Sequence, residues 1–581
     1  RPDAPCRNAN YRGMAKYRYH ALAALSGLLL ALAYPGWGFV SSNLSWLAWI
    51  GLIPLLWSLK QKPSFTVGLT AGVVYFLIIF RWLLSVHPLD TLGIQNGALS
   101  FLIVLLIYFI SSAGMAMFWG IFGLAFSKKL ENYKLQTTNY KLLLTTPALF
   151  VLLEYLRSWG FSFLWAGSGS LFGPHWTLGN LAYALADNPL ALKLASLVGI
   201  YGVTFVVIFV NCLIFWILLK RFTKFTKSTL VKGIFIGLVT VAAVFGPKLI
   251  KFQVAIRESA KQINFAIIQT AQQTKLSPSP QETLAGFKEQ LELLDRVAKE
   301  YPESQLIVFP EASDFFKNLS LFLTPAQIQN YFSGLFKEPG LIISGGRIME
   351  STGLVYSRVF SLDTQNDILD FYDKRLLTPG GEFLPYPIRV VTNLFSKLTV
   401  SQFGELRELN VGKKKVSTVG FRDEFSVAPL ICSELISPDV TNETSQNADV
   451  IVSMASYGVF HGNRTIADQM LAITRFRATE NKKPIITATN MGRSHIIDSR
   501  GNIVKISGAH PVRGSASNGA RILTGSVDIT QQQSWYNRLG DTPMILGSLG
   551  LLIVFSLQLT VYRKIQSWVG RSKSFKNANN L

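Results

Sequence analysis

Ser426-Val-Ala-Pro-Leu-Ile-Cys-Ser-Glu434 is an apolar run that ends on a thiol, and Cys432 is the only cysteine in a large polar region. Upstream, Val308-Phe-Pro-Glu311 and Phe371-Tyr-Asp-Lys374 each close a β-like run on an ionisable side chain. An acid, an amine and a thiol, delivered in that order by strand ends, compose a covalent catalytic centre. A thiol that attacks an acyl group must lose its proton, so a base or a positive charge belongs beside it. It also needs a donor for the tetrahedral oxyanion. Glu311 supplies the base in this reading and Lys374 the cationic donor. Neighbouring parallel strands would set the three ends along one edge of a sheet, where open α/β sheets commonly place active sites.

The surrounding pattern alternates strands and helices. Gln262–Thr270, Gln305–Phe309, Leu341–Gly345, Leu354–Leu362, Ile368–Tyr372, Val427–Cys432, Ala448–Ser453 and Pro484–Thr489 read as short β runs. Gln281–Lys299 and Thr465–Asn481 carry apolar residues at helical spacing. Ser494–Lys505 reads as a hairpin with Gly501-Asn502 at its turn. This mixed order predicts a layered α/β domain. The Lys- and Gly-rich stretch from Asn393 to Phe425 precedes the nucleophile, either as a lid or as a solvated insertion.

Outside this region the chain turns apolar. Of 581 residues 49% are hydrophobic and only 15% charged, against about 25% charged in soluble domains. A spanning helix needs about 20 mostly apolar residues. Candidates are residues 20–34, 44–59, 64–84, 97–126, 141–157, 194–219 and 230–246, then 543–562. The predicted division is a tail over 1–19, a seven-helix membrane domain over 20–246, a catalytic domain over 247–542, a last span over 543–562, and a tail over 563–581.

The net charge of +22 does not point to nucleic acid, because the basic residues cluster in short loops beside apolar segments. Arg7, Arg12, Lys16 and Arg18 precede the first span, and Lys60 and Lys62 follow the second. Lys128, Lys129 and Lys134 follow the fourth, and Lys220, Arg221, Lys224 and Lys227 the sixth. Arg563, Lys564, Arg571, Lys573 and Lys576 close the chain. The loops 35–43 and 85–96 hold no Lys or Arg, and only Lys193 bends the pattern. Cytoplasmic loops are the basic ones, so both termini are expected in the cytoplasm and the 247–542 domain outside it.

Other residues carry less. Cys6, Cys212 and Cys432 are too few for a disulfide framework, and Cys212 in its apolar stretch reads as packing. His461 and His495 show no metal-ligand spacing. Trp159, Phe161, Phe163, Trp165 and Trp176 suit an interfacial belt. Glu154 and Arg157, in or beside a span, suit a functional or bundle-pairing role.

The ordered set Val308-Phe-Pro-Glu311, Tyr372-Asp-Lys374, Pro379-Gly-Gly-Glu-Phe-Leu-Pro385, Ile431-Cys-Ser-Glu434 and Ala488-Thr-Asn-Met-Gly492 resembles the nitrilase (carbon–nitrogen hydrolase) superfamily. Within its membrane frame, nearly the whole chain resembles the apolipoprotein N-acyltransferase family of the bacterial inner membrane. The resemblance implies a multi-span α-helical membrane domain joined to an extracytoplasmic nitrilase-like αββα sandwich. It implies Glu311 as general base, Lys374 as stabiliser of the tetrahedral intermediate and Cys432 as nucleophile. Glu382 matches a glutamate that supports Lys374 or the base. Glu434 matches a further glutamate of the family; in a strand it would share a face with Cys432, and a structural salt bridge is the alternative.

The implied reaction is ping-pong. Cys432 takes an acyl chain from a membrane phospholipid as a thioester, and the α-amine of an S-diacylglyceryl-cysteine lipoprotein then attacks it. Neither a metal nor another cofactor is implied. Two positions depart from the family pattern: Tyr457 stands nearest to where a Trp is expected after the nucleophile, and Ser433 where an aromatic is frequent. The rival functions are a membrane-tethered nitrilase-type amidase, passing the acyl group to water, and a transporter or non-catalytic scaffold.

Overall fold

The computed structural model describes residues 6–37, 44–62, 64–90, 94–132, 140–221, 261–272, 278–365, 368–395, 408–413, 418–507, 521–529 and 532–558. The apolar N-terminal part folds as helices α1 (Cys6–Ala33), α2 (Ile53–Gln61), α3 (Phe65–Ile79), α4 (Gly97–Asn132), α5 (Tyr140–Leu164) and α6 (Pro189–Arg221). Among the described residues two stretches, Gly97–Phe126 and Pro189–Leu219, are long and apolar enough to cross a bilayer, and Phe65–Ile79 and Thr542–Gln558 are shorter apolar helices. The first helix starts at Cys6, well before the expected boundary. The expected span at 44–59 is instead a 3-10 turn over Ser45–Trp49 followed by the nine-residue α2. At 1.5 Å per residue α2 reaches about 14 Å, half a hydrocarbon core. The span expected at 230–246 lies outside the described residues, as do 396–407 and 414–417 of the lid stretch.

Small residues let the bundle close. A Cβ on Gly68 of α3 would stand 2.2 Å from the Trp119 carbonyl of α4, and one on Gly72 would stand 2.9 Å from the Trp119 Cβ. Backbone cannot move aside as a side-chain tip can, so Gly68→Ala is expected to cost about 1–3 kcal/mol of overpacking. Thermal melts in detergent check this against Gly97→Ala, which meets no atom within 4 Å and should melt as the parent does.

The polar part is a sandwich of two six-stranded sheets. The first holds β1 (Lys261–Gln269), β2 (Leu306–Val308), β3 (Leu341–Met349), β4 (Val355–Asp363), β5 (Ile368–Asp373) and, at its far edge beside β1, β12 (Arg521–Ile529). The second runs in sequence order through β6 (Val419–Phe421), β7 (Phe425–Ile431), β8 (Val450–Ser456), β9 (Ile485–Asn490), β10 (His495–Ile497) and β11 (Ile503–Ile506). Strand alternation sorts the side chains. Ile263, Phe265 and Ile267 of β1 face Val450, Val452 and Met454 of β8 in the core between the sheets. Ala266 and Ile268 turn outward against α7 (Pro280–Glu300) and α8 (Pro325–Leu335). Both helices begin on a capping box, Ser279 with Glu282 and Thr324 with Gln327, each with Pro at the first turn.

The outer face of the second sheet is covered by α9 (Pro438–Ser445) and α10 (Arg464–Asn481). These form one continuous apolar core with the helical bundle, since Ile451, Ile473 and Phe476 cluster with Tyr34, Tyr75 and Tyr183. The bundle thus supplies an outer layer of the sandwich. The loops with few basic residues make the junction. Gly36 O accepts from Thr465 Oγ1, His461 Nδ1 meets Ser85 O at 2.7 Å, and Asp187 pairs with Arg475. Glu154 and Arg157 bind this junction internally: Glu154 Oε1 accepts from Leu181 N–H, and Arg157 donates to Leu178 O and Asn180 Oδ1. Their role in the structure is therefore bundle pairing. In α6 the helix breaks at Gly199, where φ is +65°. The Ile200 N–H freed by the break is taken by Glu480 Oε1 of α10 at 2.9 Å.

Candidate active site

Glu311 follows β2 and Lys374 follows β5, in one sheet, whereas Cys432 follows β7 in the other. The expected single sheet edge is therefore corrected: the three residues converge across the mouth of a sandwich. No sequence pattern separates these cases, because partner choice between strands is tertiary.

Lys374 is 1% exposed, and its Nζ donates to Glu311 Oε1 at 3.1 Å and Glu382 Oε1 at 2.9 Å. Each carboxylate is held by its second oxygen. Ser456 N–H donates to Glu311 Oε2 at 2.9 Å, and Thr378 N–H to Glu382 Oε2 at 2.8 Å. Behind the lysine, Asp373 receives both Nε and Nη2 of Arg358, at 2.6 and 2.9 Å, across the β4–β5 pair. Burial alone pulls the Lys374 ammonium down, but the facing carboxylates of Glu311 and Glu382 outweigh it and push its pKa up. The amine stays charged.

β7 ends at Ile431, and Cys432–Ile436 form a 3-10 turn. Cys432 itself sits at φ +48°, a left-handed conformation costing about 1–3 kcal/mol in a non-glycine residue. The turn places the thiol beside Glu311 and Lys374 on the wall of one cavity. Burial, then the negative charge of Glu311, push the thiol's pKa up against the pull of Lys374. The site therefore holds a neutral thiol, a carboxylate and an ammonium side by side.

The turn also corrects the expected face shared by Cys432 and Glu434. Glu434 points away from the cavity and is fully buried. Its Oε1 accepts from Tyr372 Oη at 2.6 Å and Arg375 N–H at 2.7 Å, and its Oε2 from Ile431 N–H at 2.8 Å. It ties the residue before the thiol to the residue after the lysine, and so positions both. Ser433 Oγ adds a bond to Leu376 O. In Glu434→Gln one amide nitrogen must face a backbone N–H, at Ile431 or at Arg375. Such an unsatisfied buried donor costs about 1–3 kcal/mol. The expected result is a lower melting temperature together with slower Cys432 alkylation by iodoacetamide; a change in melting alone would reduce Glu434 to scaffold.

Sequence reasoning missed the Ser456 backbone donor, the Arg358 clamp and the Tyr372 hydroxyl, since none has a local signature. Asn490, inside one of the quoted motifs, holds the far side. Its Oδ1 accepts from Thr270 Oγ1 at 3.0 Å and Gln272 N–H at 2.8 Å, and its Nδ2 donates to Ser456 Oγ at 3.0 Å. Tyr457 is buried against the thiol, and its ring fills the space a Cβ on Gly492 would need. His461 and His495 are engaged with Ser85 O and Arg493 O.

The four groups open into a cavity of about 290 Å³. Glu311, Lys374, Glu382 and Cys432 line it together with Phe80, Trp82, Leu89, Ile103 and Ile107 of the bundle. Phe161, Trp165 and Trp176, expected at an interface, line this cavity too, whereas Phe163 is 63% exposed. A thiol, a carboxyl and an ammonium thus face a largely apolar chamber built partly by the helical bundle.

Residues 26–213 match the apolipoprotein N-acyltransferase N-terminal domain, and residues 264–535 match the carbon–nitrogen hydrolase domain. The chain belongs to the apolipoprotein N-acyltransferase family. The apolipoprotein N-acyltransferase of Geobacter metallireducens is 27% identical, over 90% of this chain and 92% of that one. That of Haemophilus influenzae is 24% identical, over 95% and 97%. A nitrilase-superfamily protein of Saccharomyces cerevisiae is 18% identical, covering 46% of this chain and 90% of its own, at a TM-score of 0.34.

Proposed function

We infer that the chain is an acyltransferase that N-acylates lipoproteins, carrying the acyl group from a membrane phospholipid as a thioester on Cys432. The observation that carries this is the largely apolar chamber whose wall holds Cys432, Lys374 and Glu311. An acyl chain fits apolar walls, and its ester carbonyl then meets the thiol. Glu311 takes the proton from Sγ as Sγ bonds to the carbonyl carbon. Lys374 holds the oxyanion so formed. The tetrahedral intermediate collapses by breaking the ester C–O bond, and Glu311 returns the proton to the leaving lysophospholipid oxygen. In the second half, the α-amine of a diacylated lipoprotein attacks the thioester. Glu311 accepts the amine proton, and the C–S bond breaks to restore the thiol. Glu382 keeps Lys374 oriented.

The membrane reading has a parallel support. The loops that hold few basic residues are those that pack on the hydrolase domain, and basic loops are the cytoplasmic ones. Both termini are assigned to the cytoplasm and the catalytic domain to the outer side of the inner membrane.

Incubation with a phospholipid bearing a labelled acyl chain, then with a diacylated lipopeptide, tests the reaction. Hydroxylamine-sensitive label on Cys432, chased onto the peptide amine, is the expected result. Label passing straight to free fatty acid would establish the amidase instead, and no label on the protein would sink the thioester.

A further inference from the structure

A second, polar cavity of about 150 Å³ lies on the junction between the bundle and the hydrolase domain, away from the catalytic groups. Ala33 and Pro35, at the end of α1, and Asp187, just before α6, form its bundle side. Arg464, Asp468 and Arg475 of α10 and Arg493, beyond β9, form the other. Three guanidinium groups thus face two carboxylates.

The carboxylates are already committed. Arg475 pairs with Asp187 and donates to Gly501 O at 2.7 Å, and Arg464 Nε stands 3.7 Å from Asp468 Oδ2. Arg493 is different. Its Nε is buried without a hydrogen-bond partner, and its guanidinium has no ion pair among the described residues. A buried donor left unpaired costs about 1–3 kcal/mol, more where charged. Such a group is stable when an anion completes it, and a guanidinium fork matches phosphate oxygens in particular.

The rim identifies the neighbourhood. Ile503, which lines the cavity, is 41% exposed, and Val504 beside it 50%. The hairpin carrying them packs on the start of α6, where a Cβ on Gly501 would meet Leu192 at 3.0 Å. Leu190 and Leu197 of α6 are each 49% exposed. A cationic pocket rimmed by exposed aliphatic side chains, at the end of two bundle helices, suits a group with a phosphate beside hydrocarbon.

We propose that Arg493, with Arg464, binds a phosphate group at this seam, the phosphodiester of a lipid headgroup, outside the acyl-transfer site. The bound lipid would bridge α1 and α6 to α10 and so pin the two domains together.

The test uses the full chain, delipidated in detergent. Its melting temperature is followed against dihexanoyl-phosphatidylglycerol, against inorganic phosphate, and against dihexanoylglycerol, for the parent and for Arg493→Gln and Arg464→Ala. Saturable stabilisation by the phosphatidylglycerol, at least about tenfold weaker in Arg493→Gln, is expected. The same stabilisation by inorganic phosphate alone would support the oxyanion site with a free phosphate as its source. Equal stabilisation of parent and both variants, or equal stabilisation by dihexanoylglycerol, would overturn the proposal. Lipid bound in the acyl chamber does not confuse the result, because Arg493 does not line it. If Arg493→Gln does not fold, the Arg464→Ala titration alone decides, through the same shift.

Discussion

Cys432→Ala is expected to abolish acyl transfer, by a factor of at least about 10⁴, while leaving the fold intact. The hydroxyls next to the thiol do not substitute for it: Ser433 Oγ is held by Leu376 O, and Tyr457 is buried, with its pKa pushed up by that burial. Removing one nucleophile from a unit of cooperating groups costs nearly as much as removing all of them. Stability should change by less than about 1 kcal/mol, since alanine keeps the Cβ and tolerates the positive φ no worse than cysteine does. The thiol adds a pH signature. Because burial and Glu311 hold its pKa above the ordinary thiol range, the neutral form dominates at pH 7. Its alkylation rate should rise with pH through 9 without a plateau. Linkage runs the same way: a folded pKa above the unfolded value contributes stability that is lost as pH rises beyond the ordinary thiol range. A plateau near neutrality would mean a preformed thiolate and remove Glu311 from the role of base.

Lys374→Met is expected to lower acyl transfer by about 10²–10³, the size of effect seen when a donor to a developing oxyanion is lost. It should also destabilise the protein by about 3–5 kcal/mol at neutral pH, because Glu311 and Glu382 then face each other in a buried site with no counter-ion. The pH dependence has a definite sign. Two buried like charges without a counter-ion repel, and acid relieves that repulsion, so the variant recovers stability as pH falls and loses it as pH rises. Melting curves between pH 5 and pH 8 should therefore converge on the parent at the acid end. Adding Glu382→Gln to Lys374→Met removes one of the stranded charges. The double variant should regain most of the stability and none of the activity. Were the double variant active, Lys374 would be a structural counter-ion and not an oxyanion donor.

Much of the sandwich was legible because its signals are local. An apolar run such as Gln262–Thr270 excludes water in one conformation, and the observed strand, Lys261–Gln269, is one residue away. The helix at 464–481 and the 494–505 hairpin were legible for the same reason, through periodicity and a Gly-Asn turn. β12 went unread, since its exposed, mixed-polarity residues become a strand only by pairing with β1. The 44–59 segment misled because apolar content was counted without weighing Pro54 and Gly51, which break the run into a turn and a short helix. Glu434 misled for a deeper reason. Whether β7 continues through it depends on the φ of Cys432, and that is held by Glu434's bonds to Tyr372 and Arg375, 62 and 59 positions away.

The chain's own sequence determined which groups could do chemistry: a thiol, a carboxyl and an amine at three run ends, inside a polar stretch framed by apolar ones. It determined their order and the membrane setting, because hydrophobic length and charge placement act residue by residue. Tertiary structure decided where the three meet, across two sheets, and that Lys374 is shared between Glu311 and Glu382. It also decided that bundle side chains wall the chamber behind Cys432. Those facts depend on packing between segments far apart in the chain, where short-range preference carries no information and only the fit of one buried surface on another selects the answer.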